Sequence, residues 1–540
     1  MLRFLDRKCQ HIIQTILAFE FDKRPQLDKS IPENNAYSDS VALELSRSAI
    51  VMLKNEGDFL PIKKGNILVC GPNATKIVTG GGSGFVTPII SSTVADAMPL
   101  VDKKIKARTY TDDTSDTIEG MFADKALTVP GVAVQVYQNT ELAGTPVKEY
   151  ISNNVFISSV PTEAHEDVIP QNQSSRHTFW YKPTEDVAYT LKLAANDGGR
   201  VRINGQTVID QWGKISWNRG QIHYEFKAGT LYECVVEHFN IGGTNALQFE
   251  FALELFSNPD DMKAVKNADC VVVCLGHDSV TEKENSDRTF ELPYGQLDYL
   301  RTVLKYNKNV VVVLNGGGGI EMASWLPEVK AVLMAWYPGQ QGGTAISEII
   351  TGKISPSGKL PISIEKKLED NPTAGNYYEN VDRIRSAKNN PYSRVEYREG
   401  IFMGYRGYEK NNVEPLFPFG HGLSYTSFEY SDISVKGAGK EFTVTFKVRN
   451  TGKVAGAEVA QVYVTDDQCS VVRPVKELKG FEKVFLKPGE EKTISLTLDQ
   501  EAFRFYDSYK HDFVVEPGSF TVSVGSSSAD IRLTTSLVVE

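Results

Sequence analysis

Four short apolar runs indicate a parallel α/β sheet. They cover residues 67–70, 270–275, 310–314 and 331–335, and each passes into a turn or loop rich in glycine or polar residues. A strand that is covered on both faces is apolar throughout. Helical patterns at 295–306 and 344–351 separate or follow the later runs. The pattern therefore predicts an α/β domain built around buried parallel strands.

Residues 120–257 follow a different pattern. Apolar, often aromatic, residues alternate with polar ones, as in 189–193, and a period of two predicts half-buried strands. The α/β pattern resumes after this block. We therefore expect an α/β sandwich domain, formed by 26–119 and 258–370, that a β-rich insert interrupts at 120–257.

A second all-β block covers residues 428–540. The segment 442–448 alternates cleanly, and short strands at this spacing predict a β-sandwich. Residues 371–427 are expected to form a linker region that wraps the domains. The fold class is thus multidomain, with α/β and all-β parts.

The N-terminal residues predict two helices. An amphipathic helix is expected over 2–21 within the segment 1–25, and a second helix over 41–54. Ser38 or Ser40 is expected to cap the second helix, because serine is a preferred N-cap residue. Leu45 is expected on its apolar face.

Composition narrows the classes of partner. The formal net charge is −10, which argues against nucleic acid as a ligand because nucleic-acid binding needs clustered Lys and Arg. A neutral sugar is compatible with it. No apolar run is long enough for a membrane helix, and residues 1–24 lack the apolar core of a signal peptide. The localisation expected by default is cytoplasmic, or secreted if the true N-terminus is missing.

Two glycine turns follow predicted strands, at 80–84 and 316–319. Neither has the spacing of a dinucleotide fingerprint or the Gly-Lys-Ser/Thr of a phosphate loop. We expect tight turns where the backbone approaches a ligand or a neighbouring domain. The six cysteines show neither zinc-finger spacing nor a disulfide framework, and we expect buried free thiols.

The loop 276–293 contains the best candidate for chemistry. It follows a predicted parallel strand, at the end where α/β sheets place functional groups. Acids and bases crowd its middle, in the order Glu282, Glu284, Asp287 and Arg288. Charged loops are often merely solvated, so the composition alone does not decide its role.

The order of these residues resembles the acid/base loop of family-three glycoside hydrolases. Further segments resemble the signatures of this family in the same order: 42–61, 80–88, Trp336-Tyr337-Pro338-Gly339-Gln340-Gln341-Gly342-Gly343, Pro356-Ser357-Gly358-Lys359-Leu360-Pro361, 404–408 and 417–425. The resemblance covers nearly the whole chain and implies a β-glucosidase type of enzyme.

The resemblance also implies roles for the loop residues. Glu284 aligns with the acid/base of the family, with Glu282 as the second choice. Asp287 and Arg288 are expected to pair and support the loop. No cofactor and no metal are implied.

The resemblance implies a nucleophile that this sequence does not contain. The family nucleophile is an Asp in a Ser/Thr-Asp-Trp motif on an N-terminal (β/α) barrel, and no such motif occurs in the 540 residues. Residues 1–25 resemble only the last helix of that barrel. We therefore expect a C-terminal portion, supplied as a fragment, a truncated product or one half of a two-chain enzyme, with little or no hydrolysis on its own.

The two β blocks also resemble known domains. The insert is similar to the protective-antigen-like domain of some β-glucosidases, and residues 428–540 are similar to a fibronectin type III-like domain. Some lectin-type relatives of the insert bind calcium through an Asp-Asp pair. The pair here is Asn196-Asp197, which argues against calcium.

Two functions follow as hypotheses. The first is retaining hydrolysis of terminal β-D-glucosyl residues, with a β-glucoside or oligosaccharide substrate and a separate barrel-bearing chain as a partner. The alternative is a noncatalytic carbohydrate-binding protein that acts through the insert.

Overall fold

The computed structural model describes residues 2–23, 35–111, 114–115, 117–158, 172–212, 218–241, 246–253, 255–256, 259–284, 288–376, 397–439 and 441–540. A six-stranded sheet forms the centre of the α/β domain. Its strands lie in the order Val51–Asn55, Ala331–Met334, Val310–Asn315, Cys270–Gly276, Gly65–Cys70 and Ile105–Thr109. The first strand is antiparallel to its neighbour, and the other pairs are parallel. The four predicted apolar runs are thus confirmed as neighbouring strands.

Helices cover both faces of this sheet. Val94–Val101 and Gly342–Thr351 pack on one face, while Pro259–Asn267 and Gln296–Tyr306 pack on the other. Every side chain of the two central strands is buried as a result. This double coverage explains why their sequences are continuously apolar.

The helix expected over 41–54 is wrong at both ends. The helix is Ala36–Ala49, and the side chain of Asn35, rather than Ser38 or Ser40, caps it by accepting the N–H of Tyr37. The expected apolar face is also wrong, because Leu45 is 67% exposed.

The apolar residues after this helix form an edge strand instead. Ile50 is extended, and Val51–Asn55 pairs antiparallel with Ala331–Met334. A short apolar run suits a helix or a strand equally well on its sequence. Pairing with a segment far along the chain decides between them here.

The N-terminal helix is Leu2–Ala18, shorter than the predicted 2–21. Its apolar residues are exposed in the structure, Ile12 by 61%. The described helices include none with the length and apolarity needed to cross a bilayer.

Two antiparallel sheets lie between the halves of the α/β domain. One contains Thr114–Ser115, Phe156–Ser158, Val187–Asn196, Asn218–Phe226 and Ala246–Leu253, and the other contains Met121–Phe122, Val132–Tyr137, Lys148–Ser152, Gln173–Tyr181, Gly198–Ile203, Gln206–Asp210 and Tyr232–Asn240. Aromatic side chains such as Phe179 and Phe249 fill the space between them. Because Thr114–Ser115 pairs with Ala246–Leu253, this β-rich part reaches ahead of residue 120.

The C-terminal residues form a β-sandwich. Its sheets contain Phe428–Ala438, Glu441–Asn450 and Glu491–Leu498 on one side, and Gly456–Asp466, Glu477–Leu486, Gly518–Gly525 and Ile531–Val539 on the other. A hairpin, Phe505–Asp507 with Asp512–Val514, and the short helices Tyr405–Lys410 and Gln500–Phe503 complete this region. The sandwich contacts the α/β domain, since Lys359 Nζ lies 3.3 Å from Glu458 Oε1.

All six cysteines are free. Cys70, Cys234, Cys270 and Cys274 are buried, as expected. Cys9 is exposed and Cys469 is half-buried, so the expectation of burial is wrong for these two.

Candidate active site

Four loops leave the same edge of the α/β sheet. They follow Gly65–Cys70, Cys270–Gly276, Val310–Asn315 and Ala331–Met334, which are parallel neighbours. After Gly65–Cys70, the next strand of the sheet, Ile105–Thr109, is added on one side. The chain later adds Cys270–Gly276 on the other side of Gly65–Cys70, and the following strands extend the sheet in that direction. Such a reversal of strand order opens a crevice at the carboxyl ends of the strands. The loop 276–293 therefore begins at the position where sheets of this type bind ligands.

The glycine turn 80–84 packs directly against this loop. The N–H of Gly81 donates to the carbonyl oxygen of Glu282 at 2.9 Å, and Gly81 forms a parallel bridge with Lys283. Gly82 has a φ of +72°, and a Cβ atom there would lie 2.5 Å from the Cβ of Glu284. Glycine is required at this position because both the conformation and the space exclude a side chain.

Glu284 stands exposed beside this turn. Its Oε2 accepts the N–H of Ser83 at 3.0 Å. The hydroxyl of Ser83, and then its N–H, lower the pKa of the Glu284 carboxyl below the ordinary value. The interactions with Ser83, a neutral partner, thus favour the carboxylate form of this residue.

Glu282 has a different environment. Its Oε2 accepts the hydroxyl of Tyr337 at 2.7 Å and the N–H of Gly317 at 2.9 Å, while its Oε1 lies 3.2 Å from Arg288 Nε. Burial acts to raise the pKa of Glu282, but these hydrogen bonds and the charge of Arg288 outweigh it and lower the pKa. Both oxygens of Glu282 are therefore engaged in holding the loop.

The second glycine turn, 316–319, surrounds this ion pair. A Cβ atom on Gly317 would lie 2.7 Å from Glu282 Oε1, and one on Gly318 would lie 2.6 Å from a guanidinium nitrogen of Arg288. Arg288 also donates to the carbonyl oxygen of Gly319 at 2.8 Å. The turn thus serves a close approach to the carboxylate loop.

Arg288 forms an ion pair that the sequence reasoning did not name. In the described part of the chain, the carboxylate that pairs with Arg288 belongs to Glu282. Asp287 lies outside the described residues, so its pairing with Arg288 stays a prediction.

Asp278 begins the loop and fixes its first turn. Its carboxylate accepts the N–H groups of Val280 and Thr281 at 3.1 Å each and pairs with Lys76 at 2.7 Å. Burial acts to raise the pKa of Asp278, but Lys76 and the backbone donors lower the pKa to about 2. Asp278 therefore stays ionised and links the two sides of the crevice.

The sequence reasoning missed Ser83, Tyr337 and Lys76 as site residues. Ser83 lies inside the glycine turn, and Tyr337 lies inside a segment that resembles a family signature. Their positions after strands of one sheet were a usable signal. Lys76 had no comparable signal.

Two groups of side chains bear on metal binding. In the described residues, the ligand atoms of Asp466, Cys469 and Glu516 lie close enough to share an ion, and this group is in the C-terminal sandwich. The second group is the Asn196-Asp197 pair, which stands where some lectin-type relatives have a calcium-binding Asp-Asp pair. The carboxylate of Asp197 accepts the N–H of Ile241 at 2.8 Å. Neither group adjoins the crevice loops in sequence.

Comparison with known families defines the class of protein that carries this fold and site. Residues 50–425 match the Glycosyl hydrolase family 3 C-terminal domain, and residues 458–528 match the Fibronectin type III-like domain. The chain belongs to glycosyl hydrolase family 3. The family resemblance and the C-terminal fibronectin type III-like sandwich are thereby confirmed.

Individual relatives are β-glucosidases by name. The chain is 32% identical over 572 residues to "Probable beta-glucosidase I" of Aspergillus terreus, covering 94% of this chain and 65% of that protein. It is 46% identical over 282 residues to "Thermostable beta-glucosidase B" of Acetivibrio thermocellus, covering 51% and 36%. The crystal structure of a Kluyveromyces marxianus β-glucosidase in complex with glucose is similar at a TM-score of 0.65 and 30% identity, covering 94% and 62%. The chain thus spans less than two thirds of these relatives.

Proposed function

We propose that this chain supplies the acid/base half of a retaining glycoside hydrolase of the β-glucosidase type, with Glu284 as the acid/base. The contrast between the two glutamates carries the proposal. The Glu284 carboxylate is exposed at the crevice, whereas both oxygens of Glu282 are engaged. An acid/base must reach the glycosidic oxygen, and Glu282 would have to break its contacts to do so.

The proposed reaction has two steps. A nucleophilic carboxylate attacks the anomeric carbon, the bond to the leaving oxygen breaks, and Glu284 gives that oxygen a proton. Glu284 then takes a proton from water, which attacks the anomeric carbon and releases the nucleophile. The proposed substrates are terminal β-D-glucosyl residues of glucosides and short oligosaccharides. The named relatives support this substrate class.

We assign the nucleophile to a (β/α) barrel outside these 540 residues, in the same polypeptide or in a partner chain. The neighbouring carboxylates Glu282 and Asp278 are both ion-paired. Exposed apolar side chains follow the glycine turn directly, including Phe85, Val86 and Ile89. Exposed apolar side chains grouped in one segment favour a protein contact, so this edge is where we place the barrel.

The β-rich insert is proposed to be of the protective-antigen-like type and to border the aglycone side of the site. The hydroxyl of Tyr294 donates to the carbonyl oxygen of Gln221 at 3.0 Å. A Cβ atom on Gly295 would lie 2.5 Å from Gln221 Oε1. A strand of the insert therefore packs against the residues that directly follow the acid/base loop, where it would limit the length of the leaving group.

The test combines this chain with the barrel domain of the Kluyveromyces marxianus relative and follows hydrolysis of an aryl β-glucoside. The chain alone should show little or no turnover. In the mixture, E284A should lower hydrolysis of a poor leaving group by about 10²–10⁴-fold. A good leaving group needs no acid, and added azide should restore turnover of E284A by replacing the water that Glu284 would activate.

The control is E282A, which should lose activity without azide rescue because it disturbs the loop. Robust turnover by the chain alone would contradict an external nucleophile. Azide rescue of E282A, and not of E284A, would transfer the acid/base role to Glu282. Calorimetry addresses the alternative function: glucoside binding that maps to 120–257 and ignores E284A would favour a carbohydrate-binding protein.

A further inference from the structure

We infer that Ser83 is the positioning residue of Glu284, and that the glycine turn 80–84 clasps this carboxylate at the edge of the crevice. The inference rests on the proposed function, which makes Glu284 the acid/base. Its first support is the hydrogen bond of 3.0 Å from the N–H of Ser83 to Glu284 Oε2.

The backbone of the turn leaves this N–H available for Glu284. Gly82–Gly84 forms one turn of 3-10 helix, closed by the N–H of Phe85 on the carbonyl oxygen of Gly82 at 3.1 Å. The N–H of Ser83 is not used in closing that turn, as is usual at the start of a helix. Together with the bond from Gly81 to Glu282, it attaches the turn to the loop on both sides of Lys283.

The two glycines that flank Ser83 differ in the space around them. Gly82 faces the Cβ of Glu284 at a distance that leaves no room for a methyl group. Gly84 belongs to the same turn but has nothing within 4 Å of an added Cβ and lacks a positive φ. The turn therefore contains one glycine that the clasp requires and one that it does not.

Among the described residues, Ser83 accounts for the lowered pKa of Glu284. The turn 80–84 contains no titratable group. On its own loop, Glu284 follows Lys283 and Glu282, and Glu282 is neutralised by Arg288. Ser83 provides the interactions that lower the pKa of Glu284. The clasp thus favours the carboxylate, the form that activates water. Exclusion of water by a bound sugar opposes it and favours the protonated acid.

The experiment measures the titration of Glu284 in this chain by carbon NMR of δ-¹³C-labelled glutamate, with the resonance assigned by its loss in E284Q. S83A removes the hydroxyl and keeps the N–H, and it should shift the midpoint upward. G82A should also shift the midpoint upward, because it displaces the Glu284 side chain from both donors. S83T retains both donors and should restore the midpoint. G84A is the matched control and should leave the midpoint unchanged.

An unmoved midpoint in S83A, with the hydrogen exchange of the turn unchanged, would overturn the inference. In the mixture with the barrel domain, S83A should lower kcat more than it changes KM, and S83T should recover kcat. The two proposals fail separately. If S83A leaves the midpoint unmoved while azide rescues E284A normally, only the role of Ser83 is contradicted. If S83A shifts the midpoint while E284A remains fully active, only the proposed function is contradicted.

Discussion

The two glycine turns of the crevice have similar sequences but contact different glutamates of the same loop. The turn 80–84 contacts Glu284, which is exposed and has a neutral donor as its partner. The turn 316–319 contacts Glu282, which is half-buried and ion-paired with Arg288. Two glutamates on one loop, with a single residue between them, are thus placed in different electrostatic surroundings.

The difference shows how a loop can be both rigid and reactive. Glu282 fastens the loop to the neighbouring strand ends through Gly317 and Tyr337. With the frame fixed there, Glu284 can be held by the weaker contacts of Ser83 and remain available to a substrate. A group that must exchange protons benefits from partners that it can leave.

The largest effect on stability should separate the two glutamates. E282A leaves Arg288, Tyr337 and the N–H of Gly317 without their acceptor, at a cost of about 2–3 kcal/mol. Hydrogen exchange of the Gly317 amide should then accelerate by roughly 30–160-fold. E284A removes one exposed contact and should change this exchange by less than about threefold. Equal effects of the two substitutions would contradict the division of roles.

A second test compares the turns through their glycines. G317A places a methyl group 2.7 Å from Glu282 Oε1, so the ion pair must shift, at a cost of about 1–2 kcal/mol. Exchange of the amides in 316–319 should accelerate by roughly tenfold. G84A meets open space and serves as the control, with no change expected. An inert G317A would show that the second turn tolerates a side chain and does not frame the pair.

Much of this arrangement was accessible from the sequence. The continuous apolar runs predicted the buried strands, and the loop after 270–275 was placed at their carboxyl ends with Glu284 as its main candidate. The contacts of Glu282 were harder to predict. The position of Tyr337 after a strand was a signal for the site, but only the order of strands in the sheet brings Gly317 and Tyr337 to Glu282. The same limit explains the failed helix over 41–54, since its second half is a strand only through pairing with Ala331–Met334.

The contribution of Glu282 to stability also depends on pH. The pKa of Glu282 is lowered in the folded protein from an ordinary value of 4.5. Its contribution to stability is therefore complete above pH 4.5 and is lost as the pH falls through the lower folded value. The difference in Gly317 exchange between wild type and E282Q, corrected for the intrinsic pH effect, should be constant near pH 6 and shrink on acidification below 4.5. A difference that grew on acidification would contradict the ion pair as its source.

The smallest effect is expected at the rim, where Lys76 on one side of the crevice pairs with Asp278 on the other. Lys76 is 41% exposed, so water and salt screen the pair, and K76M should cost at most about 1 kcal/mol. Exchange of the amides in 278–282 should rise by no more than about fivefold, and less at high salt. Asp278 would keep its bonds to the N–H groups of Val280 and Thr281. K76R is the matched control and should behave as wild type. A larger change in K76M would mean that this pair, rather than the backbone bond from Gly81 to Glu282, aligns the two sides and so brings Ser83 to Glu284.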